Sequence, residues 1–250
     1  MLKLNEVTLC FGGLTAVDKF SMNVEKNSIT ALIGPNGAGK TTVFNLISGV
    51  YAPMEGSIEF LGKNISGFKP YQINNIGIAR TYQNIRLFRE MTVLENVLVG
   101  QHTKRRCGVL RNLARTPYQK KEESEMREKA LDILALIGLA DNANDLAKNL
   151  PYGKQKKLEI GRALASDPTV ILLDEPVAGM TTMEKSDIMS LILKIRDLGK
   201  TIVLVEHDMK VVMGIADTVY VMNYGKCIAV GKPEVITKDP VVIEAYLGRE

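Results

Sequence analysis

Apolar residues recur along the chain in two rhythms, and the change from one to the other divides it. Residues 2–10 read as a strand, residues 20–24 alternate apolar and polar positions as a half-covered strand does, and Phe11-Gly12-Gly13 reads as a turn. The runs at 29–33, 169–173 and 202–205 are short and almost continuously apolar. That is the pattern of strands in a parallel sheet covered on both faces. Further strands are expected at 57–60, 78–82, 218–222 and 227–230, with a Pro/Gly-punctuated turn over 49–56. Helices are expected from Val43, over 154–166, and where Ile188, Leu191, Ile192, Ile195 and Leu198 share one face before Gly199 ends it. A short helical tail closes the chain.

From Thr92 to about Leu150 the β-rich sequence disappears, and Met126, Ala130, Ile133, Leu134 and Ile137 recur at helical spacing. The expectation is therefore one α/β domain over 1–250, whose core (1–91 and 151–250) is interrupted by a helical insertion (92–150).

Composition changes this picture little. The chain has 250 residues, enough for a sizeable core, and 46% hydrophobic with 24% charged residues is ordinary for a globular protein. A net charge of +4 is too mild to argue for a nucleic-acid partner. Lys104, Arg105, Arg106, Arg111 and Arg115 form a local basic cluster, which reads as a solvated loop or as a surface for anionic lipid headgroups or a partner. Cys10, Cys107 and Cys227 are odd in number and far apart, so neither a disulfide framework nor a zinc site is suggested. The N-terminus lacks the basic-then-apolar build of a signal peptide, and the longest apolar candidate for a membrane span, 130–140, is broken by Asp132.

The chemistry sits at strand ends. Gly34-Pro35-Asn36-Gly37-Ala38-Gly39-Lys40-Thr41-Thr42 lies between the strand 29–33 and the helix that follows, and fits G-x-x-x-x-G-K-[ST] in full. Glycines let successive backbone N–H groups converge on a polyphosphate, and the helix start adds its positive end. Lys40 would serve the outer phosphates and the Thr41 hydroxyl a Mg²⁺ ion. The run 170–173 ends in Asp174 and Glu175, placed to reach Mg²⁺ through water and to polarise an attacking water. His207 follows the strand 202–205, where it can contact a terminal phosphate, and Gln83 ends the strand 78–82, where it can ligate metal and orient water.

These motifs, with Leu150-Pro151-Tyr152-Gly153-Lys154-Gln155 where an L-S-G-G-Q signature belongs, resemble the nucleotide-binding domain of ABC transporters. Arg86-Leu87-Phe88-Arg89-Glu90-Met91-Thr92-Val93, the segments 174–180 and 206–209, and the tail 245–248 are similar to the ATP-binding subunits of branched-chain amino acid importers. The urea importer ATPases share several of these features. The resemblance implies a P-loop NTPase fold of the ABC type: a mixed sheet core, an antiparallel β subdomain and an inserted α-helical subdomain. It implies an ATPase with ATP and Mg²⁺ as cofactors, working in a head-to-tail dimer that closes over two ATP molecules and drives a membrane partner. Phe11 would stack on adenine with Val17 beside the ribose. The loop Gly34, Pro35, Asn36, Gly37, Ala38, Gly39, Lys40, Thr41 and Thr42 would hold the phosphates, and Thr41, Gln83 and Asp174 would surround Mg²⁺. Glu175, His207, Gln83 and Lys40 would be catalytic, and Pro151, Tyr152, Gly153 and Lys154 would face the nucleotide of the second subunit. The segment after Gln83 and the helical insertion would receive a helix of the permease.

The implied partners are transmembrane permease subunits, a second ABC ATPase and, indirectly, a solute-binding protein, at the cytoplasmic face of the plasma membrane. A homodimer remains possible for the chain in isolation. Three positions depart from the family pattern: Pro151 replaces the signature Ser, Tyr152 its first Gly, and Thr181 the Asp expected after the Asp174-Glu175 strand. Pro151 has neither hydroxyl nor N–H, which suggests a weakened signature half-site and a heterodimer with a fuller one. A nucleic-acid-associated ABC ATPase would be expected to carry a long coiled coil or tandem nucleotide domains. A P-loop kinase of small metabolites has no need of the segment 150–155 or of His207.

Overall fold

The computed structural model describes residues 1–102 and 117–247, with side chains described to 102 and from 121 to 246. The basic cluster 104–115 and Cys107 lie outside the described residues, as does Gly248 of the tail.

The chain opens with strands β1 (Leu2–Phe11), β2 (Leu14–Val24) and β3 (Ile29–Ile33), followed by helix α1 (Lys40–Ile47). Next come β4 (Glu55–Phe60), β5 (Lys63–Asn64), α2 (Pro70–Asn75) and β6 (Ile78–Arg80). A helical stretch follows with α3 (Val93–Gly100), α4 (Pro117–Leu136) and α5 (Tyr152–Leu164). The alternation then resumes with β7 (Val170–Asp174), α6 (Thr182–Asp197), β8 (Thr201–Val205) and α7 (Met209–Ile215). It ends with β9 (Thr218–Asn223), β10 (Lys226–Gly231), α8 (Pro233–Ile236) and α9 (Pro240–Leu247).

Two compact units result: Met1–Arg80 with Thr169–Glu250, and Thr81–Pro168. The first holds both sheets. The six-stranded one has the order β10-β9-β3-β8-β7-β6, parallel from β9 to β6 with β10 antiparallel at the edge. Every residue of β3, β7 and β8 is buried, which is why these strands read as unbroken apolar runs. The four-stranded sheet β2-β1-β4-β5 is antiparallel and alternates buried with open positions. Its inward residues Leu2, Phe20 and Val24 share one core with Phe44 and Ile47 of α1 and with Leu172 and Val203 of the parallel sheet. The helix that follows the glycine loop is thus anchored on its apolar side.

The second unit is wider than the expected insertion 92–150. It takes in the segment after β6 and also α5, so α5 belongs with the helical unit rather than with the core. Hydrogen bonding explains this. The N–H groups of Val93 and Leu94 donate to the carbonyls of Asp145 and Ala143, Ala147 N–H donates to Met91 O, and side chains of α5 hold the backbone of 82–86. Thr92 starts α3 by accepting the Glu95 N–H while Glu95 returns a bond to Thr92 N–H, the reciprocal cap that the spacing Thr-x-x-Glu allows.

Other boundaries also move. Strand β2 begins at Leu14 rather than 20, because pairing with β1 back to Phe11 leaves only Gly12-Gly13 in the turn. Strand β6 ends at Arg80, two residues short of Tyr82. Leu198 caps α6 and is exposed, whereas Ile188, Leu191, Ile192 and Ile195 are buried as expected.

Candidate functional site

The loop between β3 and α1 is shaped by two glycines that nothing larger could replace. Gly34 has φ +150°, and a Cβ there would sit 2.1 Å from the Met222 carbonyl oxygen; Gly39 has φ +105°, and a Cβ would sit 2.5 Å from Ala16 O. The loop is pressed between β9 and β2, with Gly225 N–H donating to Ala38 O at 3.0 Å. Gly39 caps α1 without any side-chain bond to the first turn, and no acidic residue lies in that turn. The first amides of α1 and the positive end of its dipole are therefore available to an anion. Asn36, Gly37 and Thr41 are exposed, Pro35 and Thr42 half-buried, and Ala38 buried. Tyr246 of α9 also neighbours the loop: burial pushes its ionisation up, and the Gly34 backbone opposes that rise.

Lys40 is 8% exposed, and its Nζ donates to the carbonyls of Gly34 (2.7 Å) and Pro35 (2.8 Å). Burial pushes its pKa below the usual lysine value, and the Glu175 and Asp174 carboxylates oppose that shift. The cation thus spans the loop with two acids nearby.

Those acids end β7. Asp174 is buried and paired with Arg80 (Nη2 to Oδ2, 2.9 Å), both side chains being 6% exposed. Arg80 also donates to Asn45 Oδ1 (2.7 Å) and Ser48 Oγ (2.9 Å) of α1, and lies over the Phe44 ring at 5.5 Å. One guanidinium therefore joins the ends of β6 and β7 to the phosphate-loop helix. Its only sequence signal was a cation closing a three-residue buried strand.

Glu175 has φ +46°, a left-handed backbone that is rare outside glycine and recurrent at functional sites. Its N–H donates to Val205 O at 3.0 Å, and its Oε1 lies 3.9 Å from His207 Nδ1. Beneath them is the fully buried Glu206, which also escaped the sequence reading. Its carboxylate accepts the N–H groups of Val177 and His207, both at 3.2 Å, tying the loop after Glu175 to the loop carrying His207. Burial raises the Glu206 pKa, while the amides of Val177, His207 and Asp208 work against that rise. Lys40, Asp174, Glu175 and His207 thus gather at the carboxyl ends of β3, β7 and β8, where open α/β sheets place their ligands.

Phe11 is 42% exposed and meets Tyr51 edge to face, with centroids 5.2 Å apart, so its ring is open to a stacking partner. Val17 is 0% exposed and packed in the core, which removes it from any contact with a ribose. The inward alternation of β2 turns that side chain away from solvent.

The remaining candidates belong to the second unit. Gln83 is exposed and lines a cavity of about 220 Å³ with Asn84, Leu87, Arg89, Tyr152 and Gln155. Pro151 is the residue before α5, with φ −56° and ψ 154°, so it stands at the cap rather than within the first turn. Tyr152 is exposed and Gly153 buried; burial, followed by the Glu159 charge, raises the Tyr152 phenol. Lys154 is exposed and donates to Asn142 Oδ1 at 2.9 Å. Thr181 caps α6 by exchanging bonds with Glu184, a local reason for threonine at that position.

A hard cation fits the first unit's donors. Magnesium takes one or two protein oxygens and fills its shell with water and phosphate, and the Thr41 hydroxyl and Asp174 carboxylate are oxygens of that kind. No cluster of three or more His, Cys, Asp or Glu that could hold a metal ion occurs among the described residues.

Comparison with known proteins agrees with this geometry. The family described as "ABC transporter" matches residues 17–178, and that described as "Branched-chain amino acid ATP-binding cassette transporter" matches 226–250. The chain is 45% identical over 249 residues to the high-affinity branched-chain amino acid transport ATP-binding protein LivG of Salmonella typhimurium, covering 99% of this chain and 98% of that one. It is 44% identical over 249 residues to BraF of Pseudomonas aeruginosa, with the same coverage. Among solved structures, the ADP conformation of an ATP-binding cassette of an ABC transporter superposes with a TM-score of 0.88 at 36% identity, over 100% of this chain and 99% of the other.

Two outcomes follow from the buried charges. Arg80→Met should cost about 3–5 kcal/mol, because it leaves the Asp174 charge buried without its partner; urea denaturation at neutral pH reads this directly, and a loss below about 1 kcal/mol would show the tie to be incidental. Glu206 has a raised folded pKa, so its stabilising contribution is complete below the unfolded value and is lost as pH rises through the folded one. Glu206→Gln should accordingly remove that decline, measured as the difference in urea midpoint between variant and wild type from about pH 4 upward.

Proposed function

The chain belongs to the ABC transporter family, and from that membership we propose that it is the ATP-binding and ATP-hydrolysing subunit energising import of branched-chain amino acids. The observation that carries this reading is the meeting of the Lys40-spanned glycine loop with Glu175, itself beside His207, in a chain 45% identical over 249 residues to a high-affinity branched-chain amino acid transport ATP-binding protein.

The main-chain amides of the loop and first turn of α1 grip the triphosphate, and Lys40 exchanges its two carbonyl partners for the outer phosphates. Thr41 and Asp174 would hold Mg²⁺, which when bound would spread the charge of the outer phosphates. Gln83 belongs to the second unit, and its assignment to the metal and the attacking water rests on the family pattern. Glu175 takes a proton as the water oxygen attacks the γ-phosphorus, the bond to the β-phosphate oxygen breaks, and ADP and phosphate result. His207, held through Glu206, contacts the γ-phosphate. Phe11 offers its open face to adenine.

Membrane permease subunits and dimerisation belong to the role of such a chain. Among the described residues no helix is long and apolar enough to cross a membrane, so attachment to the cytoplasmic face through the permeases is the arrangement that fits. A helix of the permease would dock on the segment after Gln83 and on the helical unit, as the family pattern implies. Pro151, Tyr152, Gly153 and Lys154 would face the nucleotide of a second ATPase subunit. A hydroxyl is missing at Pro151, and Lys154 is held by Asn142. That half-site is accordingly weak, which favours a heterodimer with a second, fuller signature, alongside a solute-binding protein that selects the cargo.

Lys40→Ala should abolish measurable ATP binding at concentrations that saturate the wild type, as read by a fluorescent nucleotide; retained affinity would place the phosphates elsewhere. Glu175→Gln should remove most of the hydrolysis of the assembled transporter, and the equivalent change in the partner ATPase should remove far less. Equal losses would refute the asymmetry.

A further inference from the structure

The face of α5 that carries Lys156, Glu159 and Arg162, each one turn from the next, packs on the segment 82–88 that contains Gln83. Lys156 is 1% exposed and its Nζ donates to the carbonyls of Tyr82 and Gln83, both at 3.0 Å, and lies 3.5 Å from Glu159 Oε2. All three donors of the ammonium are thereby engaged. Glu159, also 1% exposed, accepts the N–H groups of Tyr82 (3.3 Å) and Arg86 (3.4 Å) on Oε1. Arg162 donates to Arg86 O and stacks over the Phe88 ring at 5.7 Å, while Arg86 itself lies over the Tyr82 ring at 4.5 Å. The partners are main-chain atoms, so what is held is the path of the segment rather than any one side chain. The helix doing the holding begins at Tyr152, one turn before Lys156.

A buried ion pair contributes little net stability, because desolvating two charges offsets their attraction. Its value here is geometric. We propose that Lys156 and Glu159 are positioning residues that lock the main chain around Gln83 to the helix bearing Pro151, Tyr152, Gly153 and Lys154, so that the two segments shift as one body when nucleotide is sensed. This rests on the roles given above to Gln83 and to the signature segment. An apolar pair of similar volume would fill the same space and release the backbone, which separates positioning from packing.

The test compares wild type with Lys156→Met/Glu159→Leu, Lys156→Arg and Gln83→Ala, measuring steady-state ATP hydrolysis in the transporter assembled with its permeases and second ATPase, and binding of a fluorescent ATP analogue to the full-length chain. The double variant should fold with cooperative melting and bind the analogue within twofold of wild type, because Lys40 and the glycine loop belong to the other unit. Its kcat should fall at least tenfold with KM within threefold, and Lys156→Arg, which keeps a cation able to reach both carbonyls, should recover at least half of the wild-type kcat. If the apolar pair does not fold, Lys156→Gln/Glu159→Gln is read by the same constants. The sequence contains no tryptophan, so Phe88→Trp adds a single fluorophore beside Arg162. Nucleotide should shift its emission in the wild-type background, and the charge-free pair should abolish the shift. Wild-type kcat in the double variant, or a parallel collapse of affinity and kcat, would overturn the proposal. Unchanged kcat in Gln83→Ala would instead refute the role of Gln83; a loss there without one in the double variant would refute only the lock.

Discussion

Carbonyl oxygens of Met222 and Ala16 come so near Gly34 and Gly39 that no methyl group could stand between them. That close approach puts β9 and β2 against the two ends of the phosphate loop and leaves its main-chain geometry little freedom. The amides of the loop are therefore aimed before any ligand arrives, which is what makes electrostatic recognition of a polyphosphate inexpensive. The rest of the first unit's site is placed relative to this loop: Lys40 bends back over it, and Arg80 holds α1 against the end of β7.

Buried charges elsewhere follow one rule, that of gripping backbone. Glu206 takes amides from two loops, Glu159 two amides of one loop, and Lys156 two carbonyls of the same loop. Each is nearly or fully buried, where an uncompensated charge would be costly, and main-chain dipoles supply most of the compensation. Both loops are thus fixed without β-strand pairing, while Gln83 and His207, which they carry, are exposed.

The departures at Pro151 and Thr181 acquire different meanings. Thr181 is explained locally, since it caps α6 through Glu184, and that would hold in any fold with the same helix. Pro151 closes a cap that offers no side-chain acceptor or hydroxyl, and its effect falls on whatever meets the start of α5. The first is a matter of helix stability, and the second of what the start of α5 can offer a neighbour.

Most strands, the helices after the glycine loop and over 154–166 and 188–198, the glycine loop, the acids after β7 and His207 after β8 were legible in the chain, whereas β5, α2 and α7 were not. The legible ones depend on short-range rules: apolar runs of strand length, a complete motif, a turn residue after a helix. Residues whose roles come from distant neighbours were not. Arg80 looks like any strand-end cation until Asp174, Asn45 and Ser48 surround it, Glu206 like any polar residue beside a histidine, and Lys156 like one of several lysines on an amphipathic helix. Val17 was misjudged for the same reason, since only the pairing of β1 with β2 decides which way it points. Sequence alone determined what this protein can bind, because backbone geometry at a phosphate loop is encoded within nine consecutive residues. Only tertiary structure decided which charged side chains hold that apparatus in place and where one unit ends and the next begins, because burial and long-range hydrogen bonding exist nowhere but in the folded chain.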